Sequence, residues 1–125
     1  MKLFRRTPLP IGVQGEKLAA KKLRRSGYNI LERNIHLGRY EIDIIAQAGD
    51  TVVFVEVKTR RTADVASPEE NVTTEKQRRI IAAARTYMDR RNDPELYYRF
   101  DVASVLIPES GKPTITIYGD AFQEK

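Results

Sequence analysis

Two short runs of this sequence carry residue types suited to chemistry, Glu41-Ile42-Asp43 and Glu56-Val57-Lys58. In an extended strand alternate side chains share a face, so Glu41 points with Asp43 and Glu56 with Lys58. Gln47-Ala48-Gly49-Asp50 between the runs reads as a hairpin-type loop, which brings the two strands together. Three carboxylates and a lysine can then converge. A fourth carboxylate, Glu16, stands in an apolar helical stripe with Val13, Ala19, Ala20 and Leu23, where a helix meant only for packing would carry leucine. Two carboxylates about 4 Å apart repel by roughly 4 kcal/mol at an effective dielectric near 20. Either one of them stays protonated at a raised pKa, or a divalent cation occupies the space. With no cysteine and a single histidine in the chain, oxygen must hold any such metal, which favours Mg2+ or Mn2+. Such an ion would polarise a phosphoryl oxygen and help to generate hydroxide, while Lys58 positions the water or stabilises developing charge. Taken alone, Glu-x-Lys arises by chance roughly once in two chains of this length and is more simply a same-face ion pair. Asp43 on the partner strand and Glu16 on the helix tip the balance toward a metal site.

The elements that must position these residues follow from periodicity. Gly12 to Arg25 reads as an amphipathic helix ended by Ser26-Gly27, with Gly27 as the left-handed cap. Tyr28 to Arg33, Tyr40 to Ala46 and Thr51 to Thr59 read as strands, the last with Val53, Val55 and Val57 opposite Phe54, Glu56 and Lys58. A loop with Ser67-Pro68 and Asn71 follows. Thr74 with Gln77 forms a capping-box pattern that opens a second helix running to about Arg91, where Asn92-Asp93-Pro94 stops it. Arg99 to Ile107 and Thr114 to Tyr118 are two further strands, separated by the Pro108 to Pro113 loop. The expected fold is α/β, a mixed five-stranded sheet flanked by helices in the order αβββαββ. Residues 1–125 are expected to form a single domain, with 1–11 a flexible N-terminal arm.

Composition narrows the class. A chain of 125 residues with 41% hydrophobic and 31% charged residues suits one soluble globular domain. Its apolar runs, Val52-Val53-Phe54-Val55 among them, are far short of a membrane span, and MKLFRRTPLPIG lacks the apolar stretch of a signal peptide. A cytoplasmic protein with no membrane partner is expected. The net charge of +5 is unevenly spread: residues 1–40 carry ten basic and two acidic side chains, 41–75 three and eight, and 76–99 seven and three. Basic flanks around an acidic centre suit a polyanion gripped on both sides of a cation held by carboxylates, although solvated helix faces would look similar.

The runs Arg39-Tyr40-Glu41-Ile42-Asp43-Ile44-Ile45-Ala46 and Val53-Phe54-Val55-Glu56-Val57-Lys58-Thr59-Arg60 resemble the YraN-like family of uncharacterised bacterial proteins. Gly15-Glu16, Arg33-Asn34, Arg99-Phe100-Asp101-Val102 and Ala121-Phe122 extend the resemblance along nearly the whole chain. By that resemblance the chain falls among the PD-(D/E)xK, or restriction-endonuclease-like, nucleases, close to archaeal Holliday-junction resolvases. The resemblance implies a restriction-endonuclease-like core, Asp43 and Glu56 as metal ligands, Lys58 as the catalytic lysine, and Glu16 as a helix-borne carboxylate. It also implies a branched or structured DNA substrate and, by the resolvase analogy, a homodimer. Ile42 replaces the proline of the superfamily name, and Tyr40 stands where the family usually has glycine, at the bend entering the metal strand. Glu41 and Gln77 are additional candidates, Gln77 being either a site residue or the partner of the Thr74 cap. Arg60, Arg61, Lys76, Arg78, Arg79 and Arg85 are candidate phosphate contacts, and His36 a surface or DNA-proximal residue. A rival reading is a non-catalytic nucleic-acid-binding module on the same fold; a third is an assembly subunit whose charged cluster is an ion-pair network.

Overall fold

Residues 9–62 and 72–124 are described by a computed structural model. They form α1 (Ile11–Arg25), β1 (Asn29–Leu37), β2 (Tyr40–Ala48), β3 (Thr51–Arg61), α2 (Thr74–Arg91), β4 (Tyr97–Ile107) and β5 (Thr114–Phe122). The order αβββαββ is the one expected. The strands lie in sequence order in one sheet, all neighbours antiparallel except β3 and β4. A parallel pair needs a crossover, and α2 supplies it.

Alternation along the central strand divides the core in two. Val53 and Val55 of β3 pack with Ile44, Ala46, Ala103 and Val105 beneath Ala19, Ala20 and Leu23 of α1. Val52 and Phe54 pack with Ile45, Phe100 and Val102 beneath Ile80, Ala83, Ala84 and Tyr87 of α2. Phe54 centres the second cluster, with the rings of Tyr87, Tyr98 and Phe100 at 5.7, 5.6 and 5.4 Å. The most deeply buried charged residue beside these clusters is an aspartate. Asp101, 1% exposed, accepts from Arg99 Nε at 2.8 Å, Arg99 Nη2 at 3.0 Å and the Asp120 amide at 2.9 Å. The carboxylate thereby fastens β5 to β4 where their register shifts between Phe100 and Val102. The Arg99-to-Val102 run is thus explained by the fold.

Several boundaries differ from the sequence reading. Helix α1 begins at Ile11, so the last residue assigned to the flexible arm is helical; residues 1–8 lie outside the described set, as do Ser67-Pro68 and Asn71. Strand β1 runs on to Leu37, so Arg33-Asn34 and His36 are in a strand, not after one; Asn34 takes φ 50 within it, a conformation asparagine tolerates well. β4 starts two residues before Arg99, and β5 reaches Phe122. The cap of α2 is Thr73, not Thr74: Thr73 Oγ1 accepts from the Lys76 amide at 3.1 Å. Gly27 does end α1 as expected, with φ 95, its amide bonded to Arg24 O and the Tyr28 amide to Leu23 O, both at 3.0 Å.

One close approach sets where α1 sits. A Cβ on Gly15 would lie 1.7 Å from Thr59 Oγ1, so only glycine allows this turn of α1 to rest on β3. Gly15→Ala is expected to lower unfolding free energy by about 1–3 kcal/mol even after the helix propensity of alanine is counted. Urea denaturation measures it. Thr59→Ala in the Gly15→Ala background should restore part of the loss, because it removes two of the clashing atoms.

Candidate functional site

β2 and β3 pair from Ala48–Thr51 through Ile44–Val55 and then part. Continued, that register would set Asp43 opposite Glu56 and offer the carbonyl of residue 42 to the Val57 amide. The Val57 amide instead donates to Asp43 Oδ2 at 2.8 Å. A side-chain carboxylate has taken the place of a strand partner, and it is held at the mouth of the gap. The parting also breaks the alternation expected of β2, since Ile42 joins the α2-side cluster and Ile44 the α1-side cluster.

Three groups of different origin meet at this gap. Glu56, 6% exposed, is carried by β3 on the Phe54 face, and Lys76 of α2 brings its Nζ to 3.6 Å from Glu56 Oε1. Burial, and then the neighbouring Asp43, push the Glu56 carboxyl up to about 7, while Lys76 and Lys58 draw it back. The Asp43 carboxyl is likewise raised, chiefly by burial, against the Val57 amide and the charge of Lys76 and Lys58. Glu16 approaches from α1. Its carboxyl is raised by burial and then by Asp43, opposed by Asn34 and Arg33. Its Oε1 is buried with no hydrogen-bond partner among the described residues. Asp43 is therefore the member common to both sides.

Of the residues expected to converge, Asp43 and Glu56 act on each other and both feel the charge of Lys58, while Glu16 feels Asp43. Among the described residues no three acidic or histidine side chains form a ready metal cage. The donors nonetheless fit magnesium or manganese, which bind through one or two carboxylates and fill the remaining positions with water and substrate oxygens. Glu41 is exposed and acts on Asp43 and Glu16 only through its charge. Gln77 turns away, its Nε2 donating to Val72 O at 2.9 Å, so neither the Thr74 capping box nor a place among the carboxylates is observed for it.

The basic candidates separate. Lys76, expected on the exterior as a phosphate contact, sits at the carboxylates. The sequence held the signal, because Lys76 heads the buried α2 stripe of Ile80, Ala83, Ala84 and Tyr87, just as Glu16 belongs to that of α1. Arg79 pairs with Glu75 at 2.6 Å and Arg85 with Glu124. Arg78 is exposed and, with Arg39, Tyr40 and Arg79, lines an open recess of about 550 Å³. Arg60 is half-buried and Arg61 exposed at the end of β3, and His36 is exposed. No helix among the described residues is long and apolar enough to cross a membrane.

The pattern of the uncharacterised protein family UPF0102 matches residues 15–105. A UPF0102 protein of Chlorobium phaeobacteroides is 41% identical over 93% of this chain and 95% of its own length. One of Geobacter sulfurreducens is 43% identical over 90% and 88%. Among solved structures, the Holliday junction resolvase Hjc of Archaeoglobus fulgidus gives a TM-score of 0.49 at 15% identity, covering 84% of this chain and 75% of that one. The EndoMS–dsDNA2 complex gives 0.48 at 12%, covering 80% and 39%.

A carboxyl whose folded pKa lies above its unfolded value favours the folded state at low pH and loses that advantage as pH climbs between the two. For Glu56 the window runs from 4.5 to about 7. In metal-free buffer, wild-type stability should fall across that window by about 1–3 kcal/mol relative to Glu56→Gln. Urea titrations of both proteins at pH 5 and pH 8 check it.

Proposed function

The chain belongs to the uncharacterised protein family UPF0102, and we propose that it is a divalent-metal-dependent deoxyribonuclease acting on branched or structured DNA. The observation that carries this reading is the pairing of half-buried Asp43 with buried Glu56 at the parted strands, with Lys58 two residues beyond Glu56 on the same face. Two acids so placed disfavour each other, and a bound cation would relieve that repulsion.

In this reading Asp43 and Glu56 hold Mg2+ or Mn2+, with Glu16 as a third donor. The ion, when bound, supplies charge to the phosphoryl group and makes water a better nucleophile. Val57 fixes Asp43 through its amide, so that one ligand is oriented before anything binds. Lys58 donates hydrogen bonds from its ammonium to the attacking water or to the phosphoryl oxygens as they gain charge. Arg61 at the end of β3 and Arg39 and Arg78 around the recess offer cations to neighbouring phosphates, a contact that positions the strand without reading bases. Two such sites acting on opposite strands of a junction require a two-fold dimer. This reading sets the protein with its DNA substrate in the cytoplasm.

Labelled four-way-junction, flap, single-stranded and duplex DNA, incubated with magnesium or manganese, test the reading. Products should appear with the wild type and fall by at least about 100-fold in both Lys58→Ala and Asp43→Asn. Products from both variants at the wild-type level would assign the activity to a contaminant. Salt-dependent binding without turnover would favour the non-catalytic module.

A further inference from the structure

Resting on the metal-site reading above, we infer that Lys76 is a built-in counter-ion for the carboxylate pair, one that an incoming metal must displace. Its Nζ lies 3.6 Å from Glu56 Oε1, and its charge acts on Asp43 as well. In the metal-free protein it thus occupies, electrostatically, the position that the ion takes.

The two ends of this contact are unequal. The Glu56 side chain is 7% exposed and fixed on the central strand, whereas the Lys76 side chain is 42% exposed on a flexible four-carbon stem. The Lys76 backbone is tied, its amide donating to Thr73 Oγ1 at the head of α2. Only the side chain is free to move, and solvent is open to it. Lys58 also faces the pair but is carried on β3 itself, so the cation delivered by α2 is the one that can withdraw without disturbing the sheet.

Two consequences of opposite sign follow. Lys76 stabilises the metal-free fold by offsetting the repulsion between Asp43 and Glu56. It also weakens metal binding, because each binding event must first break its ion pair. A residue serving the fold alone would give the first effect without the second.

Calorimetric titration with Mn2+ of wild type, Lys76→Gln, Lys76→Arg and Asp43→Asn separates the possibilities. The expected result is Mn2+ binding ~5–30-fold tighter in Lys76→Gln than in wild type. Its metal-free melting temperature should be lower, Lys76→Arg should be close to wild type, and Asp43→Asn should show no binding. Lys76→Met carries the same test should Lys76→Gln fail to fold. Unchanged or weaker binding in the uncharged variants, with binding abolished in Asp43→Asn, would overturn the role of Lys76 and leave the metal site standing. Wild-type-like binding in Asp43→Asn would instead overturn the metal site.

Discussion

The arrangement of this protein depends on one substitution of partners, in which the carboxylate of Asp43 accepts the Val57 amide where a strand carbonyl would otherwise do so. Two neighbouring strands cannot simply separate inside a fold, since each buried amide left behind costs about 1–3 kcal/mol. The carboxylate removes that cost and lets β2 leave β3 after Ile44. Past that point β3 continues to Arg61 paired along β4, its other side freed from β2. The opening lies at the acidic residues because an acidic residue makes the opening possible.

Both helices converge on this opening from opposite faces of the sheet, and each arrives through a local device. Gly15 brings α1 against Thr59, which carries the adjoining Glu16 inward. Thr73 starts α2 so that Lys76, three residues on, faces the sheet at Glu56. The remainder of each helix is ordinary packing, Ala19, Ala20 and Leu23 on one side and Ile80, Ala83, Ala84 and Tyr87 on the other. On each helix the charged residue that faces the sheet, Glu16 or Lys76, precedes the apolar contacts that hold the helix down. That division lets the fold tolerate acids whose burial works against it.

The sequence made the central strand and its neighbours legible because β-branched alternation there is strong and both faces are covered. Asp43, Glu56 and Lys58 were readable for the same reason, as polar residues at positions whose period demanded apolar ones. Legibility failed where a side chain replaced backbone pairing. Strict alternation puts Ile42 with Ile44, and only the parting of β2 from β3 separates them. The α2 cap slipped by one residue because Thr73 and Thr74 both satisfy a threonine rule, and the shift altered the meaning of Gln77 and Lys76 together. Lys76 could have been found by asking of α2 the question asked of α1, namely which charged residue lies on the buried stripe. The abundance of arginine and lysine on that helix hid it among exterior charges.

On the proposed metal-site reading, the pair offers an ion two carboxylates rather than a cage of many protein oxygens. A cage of many protein oxygens would favour calcium, which accepts seven or eight flexible ligands. Magnesium gives up its waters reluctantly, so a site of one or two carboxylates with open positions matches it better. Those open positions are also where phosphate oxygens bind. Under the proposed function such a site would couple ion and substrate, since each would complete the surroundings of the other. In the metal-free protein the same two acids are balanced by lysines from β3 and α2, at the expense of a Glu56 carboxyl raised to about 7. The fold thus maintains a demand for positive charge at the parted strands, met in part by its own ammonium groups.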